Sequence, residues 1–236
     1  ITGAARGIGR ALLTRLAYYD VEIIAADRDA EQLGAAVREP SSTRASLNPF
    51  VCNVATQSGV EQLFAHALAT LSGVDIFIAA AEVQDDGVLD VTEWASLQTA
   101  YSTNAISPVY AAVKMTELNP SNPYLTVLIA SAYDALAGYA VYRATKGSLH
   151  LFAEAYRTQM PGHGQLMVAY PGVTQSDADL AHGVETALAD SIISAIEKGA
   201  MTVYPSWSWR VSAWMQQVLY VINPRQRRRD RRCEES

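Results

Sequence analysis

The chain is 236 residues long, half of them apolar and 18% charged; this excludes a disordered chain and supplies a sizeable core. Its net charge of −6 combines −9 over residues 1–224 with +3 over the last twelve, and an acidic body excludes a nucleic-acid binder, whose footprint is basic. Two cysteines, Cys52 in an apolar run and Cys233 in a polar tail, exclude a disulfide framework and fit a reducing, cytoplasmic setting.

Short β-rich apolar runs alternate with longer helical patterns along the chain. Strands are expected at 21–26 (VEIIAA), 49–52 (PFVC), 74–81 (VDIFIAAA), 124–130 (YLTVLIA), 165–170 (QLMVAY) and 201–204 (MTVY). Helices are expected at 8–19, 29–38, 57–71, 92–118, 142–160 and 184–198. Alternation of this kind predicts βαβ units, hence a single doubly wound α/β domain with a parallel sheet over residues 1–204. Runs such as IIAA and FIAAA suit strands buried on both faces. Pro108 lies inside the 92–118 pattern and predicts a kink or break. Residues 205–236 are expected to form a C-terminal amphipathic helix and an arginine-rich tail. In WSWRVSAWMQQVLYVI (207–222) the apolar Trp207, Val211, Trp214, Met215, Val218, Leu219 and Ile222 recur at three- and four-residue intervals. This helix is expected to pack on its own domain or close over the substrate pocket. Contact with an anionic membrane surface is the less favoured alternative.

Two motifs carry chemistry. The chain opens ITGAARGIGR, with Gly3, Gly7 and Gly9 at a strand-to-helix turn. Glycine lets the backbone approach a ligand closely, and the helix starting near Ile8 would present free N–H groups to a pyrophosphate. The spacing G-x-x-x-G-x-G differs from the commoner G-x-G-x-x-G fingerprint. A strand ends at Asp27, 20 residues past Gly7, where a carboxylate would meet an adenosine ribose hydroxyl and repel a 2′-phosphate. That favours NAD over NADP, whereas the guanidinium groups of Arg6 and Arg28 pull the other way. The second motif, YRATK (142–146), puts Tyr142 and Lys146 on one helical face. A phenol titrates near ~10 and is a poor base at neutral pH unless a nearby ammonium favours the phenolate.

TGAARGIG, Asp27, Asn104, Ser131, YRATK and the YPG of 170–172 occur in this order. Together they resemble the short-chain dehydrogenase/reductase superfamily, marked by TGxxxGxG and YxxxK, from residue 1 to about 204. The resemblance implies a Rossmann-like fold, an NAD or NADP cofactor, and hydride transfer between nicotinamide and a carbonyl or secondary alcohol. It implies Tyr142 as acid/base, Lys146 on the nicotinamide ribose and lowering the tyrosine pKa, and Ser131 on the substrate oxygen. Asn104 would hold a water in a proton relay. The cofactor's other neighbours would be Gly3, Arg6, Gly7, Ile8, Gly9, Asp27, Arg28, Asn53, Val54, Ala79, Ala81, Pro171, Gly172, Val173 and Ser176. A homodimer or homotetramer through the helices at 92–118 and 142–160 is also implied.

Two departures stand out. Where the family has N-N-A-G after the fourth strand, this chain has Ala79-Ala80-Ala81-Glu82. Glu82 sets a bulky acid beside the cofactor, where it would turn outward or weaken binding of an anionic dinucleotide. Ser131 lies 11 residues before Tyr142, about two fewer than usual, which implies a shortened loop and brings Tyr133 and Tyr139 near the mouth of the site. His66, His150, His163 and His182 lack ligand spacing, so no metal is expected. Asp85-Asp86 is expected to be a solvated loop. Only Ile1 and Thr2 precede the glycine turn. The first strand, central in this fold, is therefore expected to be largely missing from the sequence as given, and these residues alone are expected to fold poorly. The alternative to an enzyme is a dinucleotide-binding sensor or scaffold with little catalysis, which the Ala79–Glu82 stretch favours and the set Asn104, Ser131, Tyr142 and Lys146 opposes.

Overall fold

The computed structural model describes residues 1–84, 93–130, 140–159, 164–171 and 178–204, with only the backbone at 178–182. The elements run α1 (Gly7–Leu16), β1 (Glu22–Asp27), α2 (Ala30–Arg38), β2 (Ser46–Val51), α3 (Gln57–Thr70), β3 (Ile76–Ala79), α4 (Trp94–Tyr101), a π-helical turn (Ser102–Ile106), α5 (Ser107–Leu118), β4 (Tyr124–Ile129), α6 (Ala140–Gln159), β5 (Gly164–Ala169), α7 (Ala178–Lys198) and β6 (Thr202–Val203). β1 pairs with β2, and β3, β4, β5 and β6 pair in that order, every pairing parallel.

Thr2 joins the two halves, with parallel bridges to Ala26 of β1 and Ala79 of β3. Its N–H donates to the Ile78 carbonyl at 3.0 Å, and the Ala26 N–H donates to the Ile1 carbonyl at 2.8 Å. The strand order is thus β2, β1, the Ile1–Thr2 segment, β3, β4, β5, β6. From the Ile1–Thr2 position the chain runs outward on both sides, which opens a crevice at the carboxyl ends of the strands.

Alternation along the strands sorts the core into layers. In β1, Ile23 and Ala25 pack with Leu13 of α1 and Leu33 and Ala36 of α2, while Ile24 and Ala26 face Val60, Leu63 and Phe64 of α3. In β4, Leu125, Val127 and Ile129 meet Leu12 of α1 and Leu188, Ala189 and Ile192 of α7; Tyr124 and Leu128 join Ala111, Met115, Leu149 and Ala153 of α5 and α6. All six residues of β4 are buried, which explains its near-continuous apolar sequence, broken only by Thr126.

The 92–118 pattern is broken by a π turn immediately before Pro108. Proline has no N–H to donate and would crowd the carbonyl four residues back, that of Asn104. The local widening accommodates this, and Pro108 then sits in the first turn of α5, where it is tolerated. Residues 205–236, with the amphipathic segment and the arginine-rich tail, lie outside the described residues. Among those described, no helix is long and apolar enough to cross a membrane.

Candidate active site

The glycine-rich turn forms one wall of a cleft of about 670 Å³. Gly3 has a φ of +67°, and a Cβ there would lie 2.7 Å from the Ala80 oxygen and the Ala81 backbone. A Cβ on Gly9 would collide with the Gly3 carbonyl. Both positions therefore require glycine for close approach of one backbone to another. Gly7 opens α1 at a φ of +58°. The N-terminus of α1 differs from those of α2 and α3, where Asp29 and Thr56 accept from the amides of Gln32 and Gly59 at 3.0 and 3.1 Å. Arg6 gives α1 no side-chain cap, and its first turn holds no acid. Its leading N–H groups thus form an anion seat.

The ends of the strands supply the rest of the cleft. Asp27, Arg28, Cys52, Asn53 and Val54 line it beyond β1 and β2; Ala80, Ala81, Glu82, Val83 and Gln84 line it beyond β3. Asp27 accepts the Ala5 amide on Oδ2 and the Asp29 amide on Oδ1, each at 3.1 Å, which fixes the carboxylate against the turn. Ala79, expected at the cofactor, is instead buried in β3 between Thr2 and Leu128, behind the cleft wall. Burial, followed by the negative charge of Asp27, pushes the Cys52 thiol up to about 11.

α6 brings Tyr142 and Lys146 to the same end of the sheet. Lys146 is 2% exposed, and its Nζ donates to the Ile129 carbonyl at 3.0 Å and pairs with Glu82 Oε2 at 2.9 Å. The Tyr142 hydroxyl donates to the same Glu82 oxygen at 3.0 Å. Burial raises the Tyr142 phenol, and the Glu82 charge and hydrogen bond raise it further. The expected lowering by Lys146 is not met: burial first, then the Glu82 charge and hydrogen bond, set the direction. Glu82 turns toward Lys146 and Tyr142, so of the two expected outcomes the outward one is not met. Burial alone would raise the Glu82 carboxyl, but the Lys146 ammonium, hydrogen bonds from Lys146 and Tyr142, and the charge of Arg6 together hold it below the usual glutamate value.

Asn104 lies on the π turn, fully buried. Its Nδ2 donates to the Val83 carbonyl at 2.8 Å and to Thr145 Oγ1 at 3.2 Å, and its Oδ1 accepts the Val83 amide at 2.9 Å. It fastens the segment carrying Glu82 to α6, with every polar atom of the amide engaged. Ser131, Gly172, Val173 and Ser176 lie outside the described residues, as do Tyr133, Tyr139 and Asp85-Asp86; Pro171 is half-buried just past β5. Among the described residues, no three His, Cys, Asp or Glu side chains converge as a metal site. Sequence reasoning passed over Glu185 of α7, which lines the cleft beside Gly7. No local signal marks it, because its place depends on α7 packing beside α1.

This geometry, a parallel sheet with a glycine cradle at its crevice and a Tyr-x-x-x-Lys pair beside it, has relatives. The model of the short chain dehydrogenase family matches residues 1–185. The chain belongs to that family. Within it, this dehydrogenase-family chain is 26% identical over 181 residues to an uncharacterized oxidoreductase of Myxococcus xanthus, covering 75% of this chain and 72% of that one. It also resembles a human mitochondrial dehydrogenase/reductase, SDR family member 2, at 25% identity over 79% of this chain and 68% of the relative. A Burkholderia phymatum short chain dehydrogenase/reductase solved with NAD superposes with a TM-score of 0.79 at 15% identity, covering 94% of this chain and 93% of that one.

Proposed function

We propose that this chain is an NAD(P)-dependent oxidoreductase acting on a carbonyl or secondary-alcohol substrate. The observation that supports the reading is the contact of Tyr142 and Lys146 with Glu82, which lines a cleft bordered by a glycine-cradled helix start without a side-chain cap. The residues present fit a dinucleotide: the leading amides of α1 would take the pyrophosphate, Asp27 an adenosine ribose hydroxyl, and Asn53 and Val54 the adenine side. When bound, the nicotinamide would supply the hydride acceptor or donor. Tyr142 would exchange a proton with the substrate oxygen, and Ser131 would hydrogen-bond that oxygen. Asp27 supports NAD over NADP, since a carboxylate fixed at that site repels a 2′-phosphate. A sensor or scaffold with little turnover is the second reading, favoured by the engagement of Lys146 with Glu82.

Fluorescence titration with NADH and NADPH, followed by turnover assays on a panel of secondary alcohols and ketones, tests this. The expected outcome is binding of both dinucleotides with NADH tighter, and loss of turnover in Tyr142→Phe with dinucleotide affinity changed less than about threefold, or under ~1 kcal/mol. Binding without turnover in the wild type would favour the sensor. Absence of binding to either dinucleotide would overturn both.

A further inference from the structure

An ammonium has three N–H donors. Among the described residues Lys146 directs one at the Ile129 carbonyl and one at Glu82. A ribose diol held by this ammonium needs two, so holding both hydroxyls requires Lys146 to give up one partner. The Ile129 carbonyl is main chain at the end of β4, where Ile129 pairs with Ala169 of β5; Glu82 is a side chain, 39% exposed, on the segment after β3. Glu82 is the partner that can leave. The electrostatics of the cleft add to this. Among its described lining residues Asp27, Glu82 and Glu185 are acidic against the basic Arg6 and Arg28, and Glu185 stands beside Gly7 at the anion seat. Counting Lys146 against Glu82, three acids balance three bases, so the cleft offers an anionic dinucleotide no net positive charge while Glu82 holds the Lys146 cation.

We propose that Glu82 is an internal competitor for Lys146: its carboxylate occupies the ammonium that a nicotinamide ribose would use, so dinucleotide binding releases Glu82 and is accompanied by uptake of a proton on it. The inference rests on the dinucleotide-binding reading above. The groups facing Glu82 are Lys146 and Tyr142 from α6 and Arg6 from the glycine-rich turn, with Asp27, Arg28 and Glu185 across the cleft. In the free protein Lys146 holds Glu82 ionised. In the complex Glu82 loses that partner and meets a dinucleotide anion, and both changes raise its pKa. The complex then carries more protons than the free protein, so lowering the pH tightens binding. The effect levels off only below the free-state value, which itself lies under the ordinary glutamate range.

The test is NADH titration of the full chain, as wild type, Glu82→Gln and Glu82→Ala, from about pH 6 to about pH 8.5. Calorimetry in buffers of different ionisation enthalpy reads proton uptake in parallel. The expected result is wild-type binding that weakens as pH rises, with net proton uptake. Both variants should bind about fivefold tighter at neutral pH, with the pH slope and the proton uptake reduced. Variant affinity and slope equal to the wild type would overturn the proposal. Weaker binding by the variants would also overturn it, and would mark Glu82 as an acceptor for the ribose instead. The wild-type proton uptake needs no substitution, so a variant that failed to fold would not protect the idea: binding without uptake sinks it. If wild type and Tyr142→Phe bind neither dinucleotide, the functional reading itself has failed, and this proposal with it; that outcome is distinct from binding that ignores Glu82.

Discussion

At the scale of single residues, the glycine-rich turn is governed by what a side chain would strike. Gly9, in the first turn of α1, packs on Gly3, and a methyl group on it would collide with the Gly3 carbonyl, whose own residue is pressed against Ala80 and Ala81. Gly9→Ala must therefore push the turn away from β3 or shift α1 along its axis. We expect a loss of about 1–3 kcal/mol, the usual range for overpacking a close contact, together with loss of dinucleotide binding, because the α1 amides move with the turn. Chemical denaturation and NADH titration on the same preparation check this; an unchanged midpoint would show that the contact is relieved at no cost. Gly147 of α6 is the contrast, since a Cβ there meets nothing within 4 Å, and Gly147→Ala serves as the control.

At the scale of elements, the sheet was readable where burial is complete and obscure where it is not. β4 announces itself as a near-continuous apolar run because both its faces are covered. β2 begins at Ser46, three residues before the apolar PFVC that marks it, because an outer strand needs no continuous apolar sequence and tolerates Pro49. α7 starts at Ala178 rather than 184, with Gly183 inside it, and helix propensity alone gives no reason to extend the helix across a glycine. The site divides the same way. The cradle and the Tyr-x-x-x-Lys pair are local spacings and could be read directly. The inward turn of Glu82 depends on Asn104 holding Val83 from a π turn some twenty residues later, and Glu185 depends on which helix lies beside α1; neither is local. β4 also holds a testable oddity. Thr126 is fully buried between β3 and β5, and its hydroxyl has no hydrogen-bond partner among the described residues. Thr126→Val keeps the shape and removes a desolvated hydroxyl, so we expect it to stabilise the fold by about 1 kcal/mol. A thermal melt of the variant lying below the wild type would mean that the hydroxyl is bonded after all.

At the scale of the whole molecule, the question is what covers the outward side of α4, the π turn and α6. Trp94 is 79% exposed, Ile106 60% and Leu151 69%, and Tyr101 is partly exposed. Single exposed apolar residues are ordinary, but three this large and this open on neighbouring elements mark a surface suited to a protein partner. The helices concerned are those through which the resemblance implies self-association, so a second copy of the chain is the expected occupant. Burying such side chains in a shared interface contributes roughly 1.5–3 kcal/mol each for a side chain fully removed from water. Replacing Leu151 with Glu would instead place a carboxylate in the desolvated centre, where an unpaired charge is costly. We therefore expect light scattering to give the wild type the mass of two or four chains, and Ile106→Glu with Leu151→Glu to shift it to one. The double variant should keep its fold by circular dichroism, since both side chains are solvent-facing within a single chain. A wild type that stays monomeric at tens of micromolar would refute the assignment of this surface to a second copy.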